Sequence, residues 1–312
     1  SAVGMPGAVF PCLADSDGTE CCADWSRALA SLHPTGAVAW ALWSTACAAG
    51  ADSLPEPDAL ELLADIGRMW LARATGDGKA RRAMLRGVSG PDGFHPCRDG
   101  DFLTTCLARH NLRWLARILC RNAPDRQQPN GTLESCPDVE ALTTLAESLV
   151  SERDEESGAY LPFQGFLDLE VLQQEEAGFG VPEHLSSLDC LGRSQTIQQS
   201  GVLVAHAMGL TEPSPEPDQV LRDLEFSLSR LSPRVPAHIW HAAILQAQCG
   251  NVDRAGKHFQ QNLPVDLEDL CGDTAAGLHL SCVAGAVQCL LFGFAGVSWS
   301  EETLHLAPRL PA

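Results

Sequence analysis

Thirteen cysteines and ten histidines are the residues of this chain with the widest chemical range. The cysteines are scattered singly apart from Cys21-Cys22, and no Cys-x-x-Cys pair occurs. Neither a zinc ribbon nor a thioredoxin-like redox pair is supported, since both need closely spaced thiols. His95-Pro96-Cys97 comes nearest to a ligand pair. It has no second half elsewhere, so it reads as a loop, and neither a metal nor a cofactor is expected. Cys47, Cys106, Cys120 and Cys289 stand in apolar surroundings, where cysteine behaves as a small buried hydrophobe. Scattered thiols of this kind point to a reducing, cytoplasmic setting. The glycosylation sequon Asn130-Gly131-Thr132 follows no secretory signal and is read as chance.

The charge narrows the partners. Lys plus Arg is 21 and Asp plus Glu is 40 in 312 residues, a formal net charge of −19. Nucleic acid is disfavoured, because phosphate neutralisation by cations is the main source of such affinity. An anionic membrane surface is disfavoured for the same reason. A neutral ligand such as a sugar suits the charge better. Apolar residues at 45% and charged residues at 20% suit a globular chain of one or two domains.

The elements that must position these residues are helices. Gly36 to Ala49 is apolar nearly all round, and Pro57-Asp58 starts a second helix with proline suited to its first turn. Its stripe of Ala59, Leu62, Leu63, Ile66, Met69 and Trp70 has a helical period. Asp101 to Arg121 places Leu103, Leu107, His110, Trp114 and Ile118 on one face, which makes His110 a core histidine. Further helices are predicted over 139–150, 196–208, 219–231, 236–248, 252–262 and 274–292. Strand-like alternation occurs only at Val297-Ser298-Trp299 and Leu304-His305-Leu306, a hairpin around Glu301-Glu302. Residues 282–299 approach the length of a spanning segment, but Gln288 and three glycines interrupt them, and no Lys or Arg flanks them closely. They are expected to form a helix buried on all sides. The stretches 121–136 and 160–193 read as long loops, and long loops on a helical scaffold are commonly functional. Glu152 to Glu156 reads as a solvated turn.

Four segments, in order, resemble the catalytic domain of glycoside hydrolase family 65, which contains maltose, trehalose and kojibiose phosphorylases and acid trehalases. The first is Val9-Phe10-Pro11-Cys12 through Asp17-Gly18-Thr19-Glu20, followed by Leu32-His33-Pro34-Thr35-Gly36. The second is Gly87-Val88-Ser89-Gly90-Pro91-Asp92-Gly93-Phe94-His95, running on to Ala108-Arg109-His110-Asn111-Leu112-Arg113. The third is Phe163-Gln164-Gly165-Phe166-Leu167-Asp168-Leu169-Glu170, with Gln198-Gln199-Ser200-Gly201-Val202. The fourth starts at Pro233-Arg234, passes Asp273-Thr274-Ala275-Ala276-Gly277-Leu278-His279 and ends near Arg309-Leu310-Pro311. The resemblance implies an all-α fold, the later part of an (α/α)6 barrel over residues 1–296, with a short hairpin and tail over 297–312.

It also implies inverting cleavage of an α-glucosidic bond. A protonated carboxyl must donate to the leaving oxygen, while phosphate, or water activated by a second carboxylate, attacks. At the position of the family's acid this chain has Gly93, which has no proton to give. The neighbouring Asp92 is the weak substitute. Gln198 and Gln199 stand where the family offers Lys and Gln to glucose hydroxyls. His238 and His241 stand in the former phosphate loop, without its serines. Glu20 and His95 complete the substrate-binding candidates. Cys12 replaces a tryptophan, Leu103-Thr104-Thr105 stands for a Tyr-Thr-Asn run, and Ala276 replaces a glutamate. The expectation is therefore a catalytically degenerate or truncated member of an α-glucoside phosphorylase or hydrolase lineage. Its partner would be a glucose-containing disaccharide, or a second chain that completes the barrel as a homo-oligomer or hetero-partner. The alternatives are an active α-glucosidase with a displaced carboxylate, Asp92 or Glu20, and a noncatalytic module that binds carbohydrate or a partner.

Overall fold

A computed structural model describes residues 6–22, 29–50, 57–75, 82–121, 136–172, 191–211, 213–232, 239–270, 274–299 and 303–311. Among them are nine α-helices. In chain order these are α1 (His33–Ala49), α2 (Pro57–Arg73), α3 (Phe102–Arg121), α4 (Val139–Ser148) and α5 (Gly201–Ala207). There follow α6 (Pro217–Leu228), α7 (Trp240–Gln248), α8 (Val252–Asn262) and α9 (Leu280–Gln288). The fold is all-α with a small antiparallel hairpin of β3 (Val297–Trp299) and β4 (Leu304–Leu306), in which Ser298 pairs with His305. A second pair, β1 (Ala74–Thr75) and β2 (Met84–Leu85), has only two residues per strand, too few for alternation to betray it in the sequence.

The chain divides into two units. The first comprises 1–91 and 96–152, the second 92–95 and 153–312. The first is built on α1 to α4. Leu63, Ile66, Met69 and Trp70 of α2 pack with Leu112, Leu115 and Leu119 of α3 and Leu142 of α4. The face of α3 that carries Leu103, Leu107, His110, Trp114 and Ile118 is buried, as its period requires. His110 lies edge-on to Trp43 at 4.7 Å between ring centres. Helix α1 approaches α3 closely at Gly36, where a Cβ would stand 2.7 Å from the Leu107 Cβ. In the second unit, Trp240 of α7, Phe259 of α8 and Phe294 stack edge to face at 5.7 and 5.6 Å. Gly285 gives α9 its close seat on Trp240.

Three expectations from periodicity shift. The helix predicted over 196–208 begins only at Gly201, because Ser200 caps it by accepting from the Leu203 amide. Ile197 is instead drawn into a backbone bridge with Leu231, which also ends α6 at Leu228 rather than at Leu231. The helix predicted over 274–292 divides into a 3-10 turn, Thr274–Ala276, and α9. It then continues from Cys289 to Phe294 with π-helical winding.

Residues 282–299 are not buried on all sides. Cys282, Gly285, Cys289, Gly293 and Phe294 face inward, while Val283, Val287, Leu290 and Leu291 are exposed. No helix among the described residues is long and apolar enough to cross a membrane. Of the four cysteines expected in the interior, Cys106 and Cys289 are buried, Cys47 is half-buried and Cys120 is exposed at the end of α3. Burial pushes the Cys106 and Cys289 thiols up to about 12, which keeps them protonated and unreactive.

Gly36→Val should destabilise the protein by about 1–3 kcal/mol, since the added atoms meet Leu107 and Trp70 in a packed interior. Urea denaturation followed by circular dichroism measures this. An unchanged midpoint would show that α1 does not seat on α3 as described.

Candidate functional site

The turn at residues 92–95 carries the position where the resemblance puts the acid. Asp92 is buried, and its carboxylate is fully engaged. Oδ2 lies 2.6 Å from His95 Nδ1, and Oδ1 accepts from the Phe94 amide at 3.1 Å and the Gln198 amide at 2.9 Å. The other nitrogen of His95, Nε2, lies 2.8 Å from the Ser194 carbonyl. A carbonyl only accepts, so Nε2 donates to it. Oδ2 and Nδ1 share the remaining hydrogen bond of the pair. The His95 side chain is completely buried. Its ring rests against Phe163 and Phe166 at 5.0 and 6.2 Å. Those two phenylalanines come from the third motif, whose Gly165 adopts φ 77° to turn the chain into a short 3-10 helix at Phe166–Asp168.

The segment facing this turn is anchored along its length. Gln195 donates to the carbonyls of Leu167 and Leu169 and accepts from Arg230 Nε at 3.1 Å. Gln198 and Gln199 are half-buried at the edge just before α5. Gln198 is held there by its amide bond to Asp92. Gly93 is likewise half-buried. Thus Asp92, Gly93, His95, Gln198 and Gln199 do come together. Within that group the Asp92 carboxyl and the His95 ring are occupied by protein partners, and the two glutamines are half-buried.

The other predicted residues fall elsewhere. His241 is half-buried in the first turn of α7. His238 lies outside the described residues. Glu20 belongs to the first unit and is exposed. It ties its own loop together, accepting from the amides of Cys12 at 2.9 Å, Leu13 at 3.3 Å and Cys22 at 2.8 Å. Desolvation alone would raise its pKa, but the amides of Cys22, Cys12, Leu13 and Cys21 together hold the carboxyl below the usual glutamate range. It is a loop brace kept ionised, the opposite of an acid that must stay protonated near neutrality. Asp154 is held low in the same manner, chiefly by the Ser157 hydroxyl and the Glu156 amide. It organises the turn expected between 152 and 156.

One buried node went unseen in the sequence. His206 of α5 lies 2.8 Å from Asp223 of α6 through Nε2 and 3.1 Å from Thr211 Oγ1 through Nδ1. Asp223 also accepts from the Tyr160 amide at 2.7 Å and from Gln219. The four-residue spacing of Gln219 and Asp223 was the available signal, but the partner histidine lies on another helix.

The motif residues of the first unit are mostly braces. The Phe10 amide donates to Thr35 Oγ1 at 2.8 Å, and Asn111 Nδ2 donates to the Gly36 carbonyl at 3.2 Å. His33 Nδ1 lies 2.9 Å from the Ser89 carbonyl. Burial lowers the proton affinity of His33, against the opposing pull of that carbonyl. At Gly90 a Cβ would overlap the Asp101 carboxylate, which itself accepts from the amide and hydroxyl of Thr104 at 2.8 and 2.6 Å at the start of α3.

Comparison with known proteins accords with this arrangement. The model of the glycosyl hydrolase family 65 central catalytic domain matches residues 1–288. An uncharacterized glycosyl hydrolase of Mycobacterium tuberculosis is 28% identical over 99% of this chain and 38% of its own length. Maltose phosphorylase of Bacillus subtilis is 25% identical over 99% of this chain and 40% of its own. Alpha,alpha-trehalose phosphorylase of Geobacillus stearothermophilus is 26% identical over 98% and 40%. The chain therefore spans about 40% of the length of these relatives. Among solved structures, a protein provisionally assigned as a kojibiose phosphorylase from the human microbiome superimposes with a TM-score of 0.84 at 22% identity. It covers 97% of this chain and 42% of that one. The fold is that of the family's helical domain, consistent with a partial (α/α)6 barrel.

Two consequences are measurable. Asp92→Ala strands the His95 ring and two amides and should cost about 3–5 kcal/mol. Asp92→Asn should cost far less, because an amide keeps all three contacts, donating to Nδ1 and accepting from Phe94 and Gln198. Equal losses in denaturant melts would overturn this account. Glu20→Gln should speed hydrogen exchange of the Cys12 and Cys22 amides at pH 7. A carboxyl held low stabilises the fold above its unfolded pKa and loses that effect as pH falls through its folded pKa. The difference from wild type should therefore vanish below the usual glutamate range.

Proposed function

Because the chain belongs to glycosyl hydrolase family 65, within the central catalytic domain, we propose that it is a sugar-site module of the α-glucoside phosphorylase and hydrolase lineage without glycosidic turnover of its own. The observation that supports this is the state of the 92–95 turn. Gly93 occupies the acid's position, and the adjacent Asp92 carboxyl group is engaged by the Phe94 and Gln198 amides and by His95 Nδ1. Its oxygens are taken up by protein partners, whereas the leaving oxygen needs a proton aimed at it. Losing a general acid costs about 10²–10⁴-fold in rate. The second candidate, Glu20, is held ionised by its own loop.

In this reading residues 1–296 form the barrel-derived part and 297–312 the tail. The ligand is an α-linked, glucose-containing disaccharide of the kind named for the relatives. Gln198 and Gln199 offer it hydrogen bonds at the site's edge, with His241 a further polar group on α7. Scattered thiols favour a cytoplasmic setting for it. The exposed apolar side of α9 and of the π-helical segment after it, with Leu280, Val283, Val287 and Leu290, supports association with a second copy or a partner chain that covers it.

The purified chain should release no glucose from trehalose, maltose or kojibiose, and no glucose phosphate when inorganic phosphate is added. Gly93→Glu restores a carboxyl at the acid's position and should raise any trace rate. Robust wild-type turnover that disappears in Asp92→Asn, a variant expected to stay folded, would overturn the proposal.

A further inference from the structure

We propose that Asp266, His279 and Cys282 form a binding site for one divalent transition-metal ion of the zinc type. The proposal stands apart from the functional reading above. Oδ of Asp266, a ring nitrogen of His279 and Sγ of Cys282 all lie within 4.8 Å of one another. Around a tetrahedral zinc, with bonds of about 2.0–2.3 Å, ligand atoms stand roughly 3.3–3.8 Å apart. A contraction of about 1 Å would close the set.

The local chain already aims these atoms. His279 is the cap of α9 and Cys282 lies in its first turn, three residues on, so the two side chains lie on neighbouring positions of the helix. The Cys282 amide donates to the His279 carbonyl at 2.8 Å, which fixes their spacing. Asp266 is held from the other side. Its Oδ2 accepts from the His279 amide at 2.8 Å, leaving Oδ1 against His279 Nδ1 at 2.7 Å. A metal would take the place of the proton in that last contact, while the amide bond continues to orient the carboxylate from outside the coordination shell.

The chemistry selects the ion. A thiolate and an imidazole favour zinc-like ions over magnesium or calcium. One carboxylate and one thiolate balance the double positive charge, and the thiol proton leaves to solvent on binding. Cys282 is buried and carried as a thiol, while the His279 side chain is 32% exposed, giving an entry path and room for water as the fourth ligand. The site would clamp the turn after α8 to the start of α9. There the apolar contact is slight, a cluster of just Val265 and Cys282 among the described residues.

The test is cobalt titration of the chelator-treated full chain, followed by zinc competition. Wild type should bind one equivalent with a thiolate-to-cobalt charge-transfer band, which zinc then bleaches. Cys282→Ser should abolish that band, and Asp266→Asn should weaken binding roughly tenfold or more. Zinc should also raise the melting temperature of wild type and not of Cys282→Ser. Should the serine variant fail to fold, Cys282→Ala provides the same comparison. No band in wild type, or a band of full amplitude in the Cys282 variants and hence owed to other cysteines, would overturn the proposal.

Discussion

Three hydrogen bonds hold the Asp92 carboxyl group inside the protein, and the arrangement of the whole candidate site follows from them. Unpaired, a buried carboxylate would be strongly unfavourable, so its three partners must stay in place. Through His95 the constraint reaches the Ser194 carbonyl, and through the Gln198 amide it fixes the approach to α5. Phe163 and Phe166 enclose the ring and exclude the water that would otherwise compete for those bonds. The Asp92–His95 part of the site is thus fixed by protein partners, with the half-buried Gln198 and Gln199 at its edge.

The same separation of scaffold from chemistry runs through the first unit. Thr35, His33, Asn111 and Gly90 each serve a backbone contact or a close approach. Such residues tolerate little change because a buried polar group without its partner costs about 1–3 kcal/mol. Residues whose task is to touch a ligand carry no such penalty in the folded chain. They can be replaced while the helices around them persist.

What could be read in advance divides along physical lines. Periodicity located α2, α3, α4 and α8 to within a residue or two, since each buries one face against several neighbours. It overran at 196–200, where Ile197 pairs with Leu231 far along the chain, a non-local contact that no window of sequence contains. It misjudged the environment of 282–294 because composition reports apolarity and not what lies opposite. In the site, the proximity of Asp92, His95, Gln198 and Gln199 was legible from the ordered motifs. The occupation of Asp92 was not, because two of its donors are backbone amides, which every residue carries. The His206–Asp223 pair stayed hidden for want of any local spacing between partners on different helices.

The wide winding at Cys289–Phe294 has a consequence for how this chain tolerates length changes. A π-helical turn accommodates one more residue than an α-helical turn would. Removing one residue from it would restore ordinary pitch and keep the chain downstream in phase, whereas removing one from α9 would swing everything downstream by about 100° around the axis. After a deletion in α9, Gly293 would lose its seat beside Ile244, and the bonds from Arg309 to the Phe294 and Ala247 carbonyls would lose their register. The one-residue surplus at 289–294 is therefore where this helix tolerates the loss of a residue without turning the terminal hairpin away from its seat.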